Sequence, residues 1–494
     1  MLPPNIRDQG TALTNCLKYE DHIFTLLCNF TWSEYYDKDN YILLKENEIF
    51  DGHDYGIDLK DLDSWEGLFQ IASEVEWENA PVVKHLHVVG GQTSVEGGFI
   101  IQADQKDFIV DSCSSSGTVK GTCSGSGGCR GGGSGICGHQ CTGTILLTNC
   151  WSTGLIEGPH AGGIAGRRFG FHGSQINITN CWSEGDIHGR FSGGIFGSRA
   201  GEKSGSVTVT KSYSKGEIRG QDSGGIAGGT PAWDHGHVKI SQCYTLGNIS
   251  GLASGGITGD GPGRDNGFVE ITNCYTIGDI TGGFFGTGAA GGICGRETGQ
   301  DHGIVAISNV YARGNIKSDD RGGIIGHIHS DAKEVKMTMS VHNGGSAIGS
   351  GSATKETGNS NNTDDITGKN YCYNKECWDV DTIWKETDEF PMLLAGISPS
   401  VSPASTSTST PTSTRTQTST STPTRTSTKS PTTSSTWTSS VSPTPSMTRT
   451  PSSSATASSF GTSTSAATKS PSGTSTASST ITSSPLLAKL HIAH

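Results

Sequence analysis

Between Cys150 and Gly295 a single pattern of residues is written repeatedly. Ile-Thr-Asn-Cys-Trp-Ser-x-Gly-Asp-Ile-x-Gly is followed by Ser-Gly-Gly-Ile-x-Gly, and Cys150, Cys181, Ser212, Cys243 and Cys274 fill one slot at intervals of 31 residues. A fixed period of this length means that each repeat packs on its neighbours, because one repeat alone cannot bury its apolar face. The fold is therefore a stack.

Each repeat opens with apolar residues two apart, such as Val207 and Val209 or Val269 and Ile271, which is a strand with one buried face. A polar slot follows (Asn149, Asn180, Lys211, Gln242, Asn273, Asn309), where the inward-outward alternation changes at a bend; Lys211 argues against burial there. A second short strand carries one isoleucine (Ile156, Ile187, Ile218, Ile249, Ile280, Ile316), and a third carries Gly-Gly-Ile (Ile164, Ile195, Ile226, Ile257, Ile293, Ile324). The glycines are expected to supply positive φ and close backbone approach at corners. This describes an all-β, parallel β-helix-like solenoid of about 31-residue coils, ~4.8 Å apart. A propeller fits less well, since blades of ~40–50 residues carry four longer strands. The insertion Phe284-Phe285-Gly286-Thr287-Gly288 marks one side of the stack, and insertions collect on a binding side.

Boundaries follow from where the pattern fades. Residues 1–80 hold Trp32, Tyr35, Tyr36, Tyr41, Trp65 and Trp77 and read as an N-terminal cap. Solenoid repeats occupy 81–349, with Val83, His85, His87 and Val89 on one face of an early strand. Residues 350–396 regain aromatic density and read as a C-terminal cap. Residues 397–494 are Ser/Thr/Pro-rich and are expected to be disordered, as an O-glycosylated stalk or a plain linker.

Charge narrows the partners. Six of the 35 basic residues and none of the 47 acids lie in the last hundred positions, so the remainder carries 29 against 47. An acidic body disfavours nucleic acid, which needs clustered cations. No apolar run reaches the ~18–20 residues of a membrane span. Met1-Leu2-Pro3-Pro4-Asn5 lacks the regions of a signal peptide, so the chain is expected to begin inside a longer product.

Residues 180–197 and 273–295 resemble the GLUG-motif repeat proteins, a family of bacterial, viral and protist surface proteins marked by Asn-Cys-Tyr-Ser-x-Gly-x-Ile followed by Gly-Gly-Ile/Leu-x-Gly. Tyr371-Cys372-Tyr373, Trp378, Trp384 and Phe390-Pro391 are similar to the segment that often closes such arrays. The likeness covers roughly residues 80–395. It implies a β-helical stack with surface or adhesin-like roles, and no catalytic residues.

Five groups of side chains invite a chemical reading. Trp151, Trp182, Tyr213, Tyr244, Tyr275 and Tyr311 form one column. Facing outward, it is a flat platform for sugar rings; facing inward, it is core. Glu157, Asp186, Glu217, Asn248, Asp279 and Asn315 make a row of oxygens that is either solvated or suited to calcium or paired-acid chemistry. The column Cys113, Cys150, Cys181, Cys243 and Cys274 tolerates Ser212 and Val310, as small buried side chains do. Cys123, Cys129, Cys137, Cys141, Cys372 and Cys377 are the disulfide candidates, their spacings being unlike paired zinc ligands. His85 with His87, and His327 with His329, read as surface pairs. Asn29, Asn177, Asn248 and Asn361 begin N-glycosylation sequons.

No cofactor is called for. The expected function is a non-enzymatic surface or secreted adhesion and recognition scaffold, with an extracellular glycan or cell-surface partner. A β-helix polysaccharide lyase or epimerase is the alternative. It requires a compact acid-base set, and Arg167, Arg168, Arg190 and Lys215 form no evident cluster with the acids in sequence. An ice- or mineral-binding face is a weaker reading.

Overall fold

A computed structural model describes residues 15–32, 41–60, 62–94, 96–123, 129–283, 288–343 and 345–357, with short pieces at 359, 372–373, 376–377, 379, 383–385 and 392–393. The side chains of 122–123, 129–130, 355, 357, 372–373, 376–377, 385 and 392 are not among them. These residues belong to one compact unit, Met1–Thr406. The expected disordered tail at 397–494 and the sequon at Asn361 lie outside the described residues.

The unit is the parallel β-solenoid that the 31-residue period demands. Helical structure among the described residues is limited to a 3-10 turn at Trp77–Asn79 and the two residues before the first strand. Gln175–Thr179, Ser206–Thr210, His237–Ser241 and Phe268–Thr272 stack in parallel, with Ile176, Val207, Val238 and Val269 in one inward column. Trp182–Ser183, Tyr213–Ser214 and Tyr244–Thr245 make a second ladder, and Ile187–His188, Ile218–Arg219 and Ile249–Ser250 a third. The Gly-Gly-Ile segment is held by single parallel bridges, such as Gly193 to Gly224 and Phe196 to Ala227. Inward slots therefore stack into columns: Ile195, Ile226 and Ile257 are fully buried, each bonded through its backbone to the next.

The polar slot turns out to be the hinge of each coil. Asn149, Asn180, Lys211, Gln242, Asn273 and Asn309 all have φ between 51° and 57°. One left-handed residue shifts the alternation by one place, so the cysteine after it points inward and the aromatic after that points outward. Asn tolerates this conformation because its side chain bonds locally, and Asn180 Nδ2 donates to Asn149 Oδ1 at 2.6 Å. Lys211 sits in the same conformation, exposed, with no such neighbour bond.

The Gly-Gly-Ile glycines do a different job from the one expected. None carries positive φ; they are needed for close approach. A Cβ on Gly194 would collide with the Gly225 carbonyl of the next coil and with the side chain of Ser214.

Several boundaries move. Coils begin well before residue 80: Ile23–Leu26 runs parallel to Ile49–Asp51, which pairs with Val82–Lys84 and through it with Lys106–Asp111. These early coils bury Phe24, Phe50, Phe69 and Trp65 in columns that later coils fill with smaller side chains such as Val83, Val110, Cys137 and Ala165, and they lack the Gly-Gly-Ile pattern. The end is closed by Leu17–Glu20, antiparallel to Ile23–Leu26, and by a Cys16–Cys28 disulfide. At the other end Lys355–Thr357 still pairs in parallel with Glu334–His342, so stacking runs past 349. The face assigned to Val83, His85, His87 and Val89 is broken at His85, whose φ of 51° turns Leu86 and Val88 inward instead.

Replacing Lys211 by Asn should raise unfolding stability by up to about 1 kcal/mol, because the left-handed cost falls and the asparagine column is extended. Gly194→Ala should lower it by about 1–3 kcal/mol through overpacking. Urea unfolding midpoints of the two variants, moving in opposite directions, check both roles.

Candidate functional site

The aromatic column is a stack of buried rings. Successive centroids from Trp151 through Trp182, Tyr213, Tyr244, Tyr275 to Tyr311 lie 4.9–5.9 Å apart with planes within 11° of parallel. Each ring is between 0% and 7% exposed. The rings point away from the isoleucine core and form a second apolar cluster with Met339, Val341, Trp384 and Leu393. Trp384 lies against the last two rings, 6.2 Å from Tyr275 and 5.9 Å from Tyr311, Val341 follows Tyr311 in register, and His87 lies 5.4 Å from Trp151 at the near end. Ring faces that a sugar would need are turned to one another. Burial pushes the Tyr244 phenol up to about 12, and Tyr213, Tyr275 and Tyr311 further in the same direction.

The acid row is structural in its contacts. Asp186 accepts the Glu217 amide, Asn248 accepts that of Asp279, and Asp279 accepts that of Asn315, each at 2.9 Å. These exposed side chains lock one coil to the next.

Cysteines divide into two kinds. Cys113, Cys150, Cys181, Cys243 and Cys274 are buried free thiols, as the small-residue column implied. Cys150 Sγ donates to the Thr148 carbonyl at 3.1 Å, and Ser212 repeats this with its own hydroxyl to Thr210 at 2.9 Å. Burial raises the Cys113, Cys150 and Cys274 thiols well above the usual range, which keeps them protonated and inert. The disulfide expectation fails at Cys137 and Cys141, which are also buried free thiols. Cys137 occupies the inward slot held by Ala165 in the following coil, so it is core. Cys123 faces Cys129 across a two-residue antiparallel pairing, and Cys372 faces Cys377 likewise, with their side chains outside the described set.

The rings of His327 and His329 meet edge to face at 6.3 Å, whereas His85 and His87 turn to different partners. His85 Nδ1 meets Asp51 Oδ1 at 3.2 Å while His87 Nδ1 meets Ser114 Oγ at 2.8 Å. His329 contacts Asp331 and Glu297, and the Nδ1 of His327 is buried without a partner. Of the sequons, Asn29 and Asn248 are exposed and Asn177 is half-buried on the outward face of its strand.

The side where charge does gather is the turn run that follows Gly-Gly-Ile-x-Gly. Even here the backbone stacks: Arg168 donates its amide to Ser198 and Arg199 donates to Gly229. The basic residues that look scattered in sequence are paired across coils, which corrects the sequence reading. Arg168 Nε lies 2.9 Å from Glu202, Arg190 Nε 3.4 Å from Asp222, and Lys215 Nζ 2.6 Å from Glu184. Half-buried rings sit under the cations, Arg190 over Phe191 at 4.4 Å and Arg199 over Trp233 at 3.8 Å. His160 stacks on Phe191 at 5.1 Å. Burial and then Arg167, Arg199, Arg190 and His139 hold the His160 imidazole down to about 3. Burial and then Arg167 and Arg168 hold His139 down to about 4.

Farther along the same side, Asp222 and Asp260 are almost fully buried, and Asp222 Oδ1 has no hydrogen-bond partner. Arg296 Nε donates to Asp260 at 3.1 Å, yet burial and then Asp222 push the Asp260 carboxyl up to about 6. Sequence reasoning missed this side because its slots repeat in spacing but seldom in residue type, as His172, Lys203, Asp234 and Asp265 do in one left-handed slot. The signal available was the pair Arg168 and Arg199, 31 residues apart.

No family model matches the chain, and no curated protein matches it. Among solved structures it is similar to a Bacteroides ovatus protein provisionally described as an immunoglobulin A1 protease, at 16% identity, over 76% of this chain and 86% of that one, with a TM-score of 0.31. So loose a likeness carries no argument here.

Tyr275→Ala should cost about 3–5 kcal/mol, the range for emptying a buried aromatic site, as read by urea unfolding. An ultraviolet titration should leave the four ladder phenols un-ionised at pH 11; their raised folded values mean that stability present below pH 10 is lost as pH climbs through 12. The histidines act in the opposite direction. Their depressed values give stability present above pH 6.5 and lost as pH falls toward 4 and 3. His160→Phe, which copies Phe191 one coil on, should flatten that acid limb in a pH series of unfolding midpoints.

Proposed function

We propose that the chain is a non-enzymatic, extracellular or cell-surface recognition scaffold of the GLUG-repeat kind, and that its turn side meets a glycan. The observation that carries this reading is the gathering of arginines, histidines and half-buried rings on one side of consecutive coils. The two-residue aromatic strands and the acid row, by contrast, are occupied with holding coils together. Rings with cations beside them suit sugars, which combine apolar C–H faces with polar rims. The Cys16–Cys28 bridge is in keeping with an oxidising compartment. No helix among the described residues is long and apolar enough to cross a membrane.

A second reading is favoured by one observation. Asp222 and Asp260, with Arg190 and Arg296 against them, make the compact acid-base set that a polysaccharide lyase or epimerase requires. A buried carboxyl near pH 6 is suited to proton transfer, and its arginines to holding a substrate carboxylate.

The full-length chain on a glycan array, together with a lyase assay on alginate and pectin, separates the two. Saturable glycan binding without ultraviolet-absorbing product supports the scaffold. Product formation abolished by Asp222→Asn would overturn it in favour of the enzyme.

A further inference from the structure

The net charge of the protein is −12, yet three neighbouring coils gather cations on the turn side. Backbone bonds set them one above another: Gln140 donates its amide to the Arg167 carbonyl, Arg168 to Ser198, and His160 to Arg190. His139 is 9% exposed and its Nδ1 has no partner; the Nε of Arg167 is buried and also has none. Arg168 and Arg199 share one carboxylate, Glu202, so their charge is not fully answered within the protein. His160 is fixed by Ser198 Oγ at 2.7 Å and by stacking face to face on Phe191, over which the Arg190 guanidinium also lies.

Buried polar atoms without partners are costly, and a fold keeps them where something else supplies the partner. Arginine forks match planar or tetrahedral oxyanions, and imidazole nitrogens beside them can meet sugar hydroxyls. We infer that Arg167, Arg168, Arg199, His139 and His160, the last backed by Phe191, form a binding site for an acidic sugar, one bearing a carboxylate or a sulfate. The inference rests on the glycan-recognition reading and narrows it to a charge class. The neutral state of both histidines leaves them as hydrogen-bond partners for hydroxyls, while the arginines carry the charge.

The test uses the full chain against matched neutral, uronate- or sialate-bearing, and sulfated oligosaccharides. Acidic members should bind, neutral ones should not, and binding should weaken as salt rises from roughly 50 to 500 mM. The carboxylated and sulfated arms identify which acid is read. Arg167→Gln should weaken binding by about tenfold or more, the loss of one charge-assisted fork. The same variant should leave the urea midpoint unchanged or higher, because a buried charge without a hydrogen-bond partner at Nε is removed. A lower midpoint with unaltered binding would make Arg167 structural and overturn the inference. Binding of neutral sugars alone would also overturn it while leaving the recognition role standing. No binding to any glycan would remove both.

Discussion

Everything in this molecule depends on the backbone hydrogen bonds that run from one coil to the next. Each amide finds its carbonyl one period away, as Ile195 finds Ile226 and Tyr213 finds Cys181. That bond is short and fixed in direction, so each coil must hold every backbone group directly over its counterpart. The glycines of Gly-Gly-Ile, the left-handed asparagines and the narrow inward columns are all conditions for keeping that distance. The period of 31 residues is the outcome of the constraint.

The left-handed residue that follows the first strand of each coil then produces two cores instead of one. Before it, Val207 and Val209 face inward; after it, Ser212 faces inward and Tyr213 outward. The outward rings would be a liability as isolated side chains, but stacked at about the inter-coil spacing they shelter one another. Val341 and His87 lie at the two ends of the column, and Trp384 packs against its last two rings. The same repetition lets polar atoms such as Asp186 and Asn248 serve as fasteners between coils, which explains a row of oxygens without any bound ion.

Much of this was legible in the sequence, and the parts that were not share a cause. Ile226, Cys181 and Lys211 could be placed because each has copies one period away that betray its environment. The first coils were unreadable because Phe24, Phe50 and Trp65 fill the core there by volume, leaving no repeated pattern to align. The reversal at Asn149 and Asn180 could be read from the polar slot, but the burial of the outward rings could not, because the stacking of Trp182 on Tyr213 depends on the neighbouring coil. The pairing of Arg190 with Asp222 was hidden for a different reason. Partners lie on adjacent coils but occur once each, so only the folded stack reveals which residues are neighbours.

That contrast between repeated and unrepeated slots bears on how such a chain can change over time. Because a coil touches only the coils on either side, duplication or loss of one 31-residue unit leaves the hydrogen-bond ladder and both cores continuous. Length is thus free to drift by whole units. The arginines and histidines of the turn side have no such freedom, since a unit inserted between His139 and Arg199 would part them by a further ~4.8 Å. Gene-level recombination would therefore be tolerated almost anywhere along the array except within those three coils.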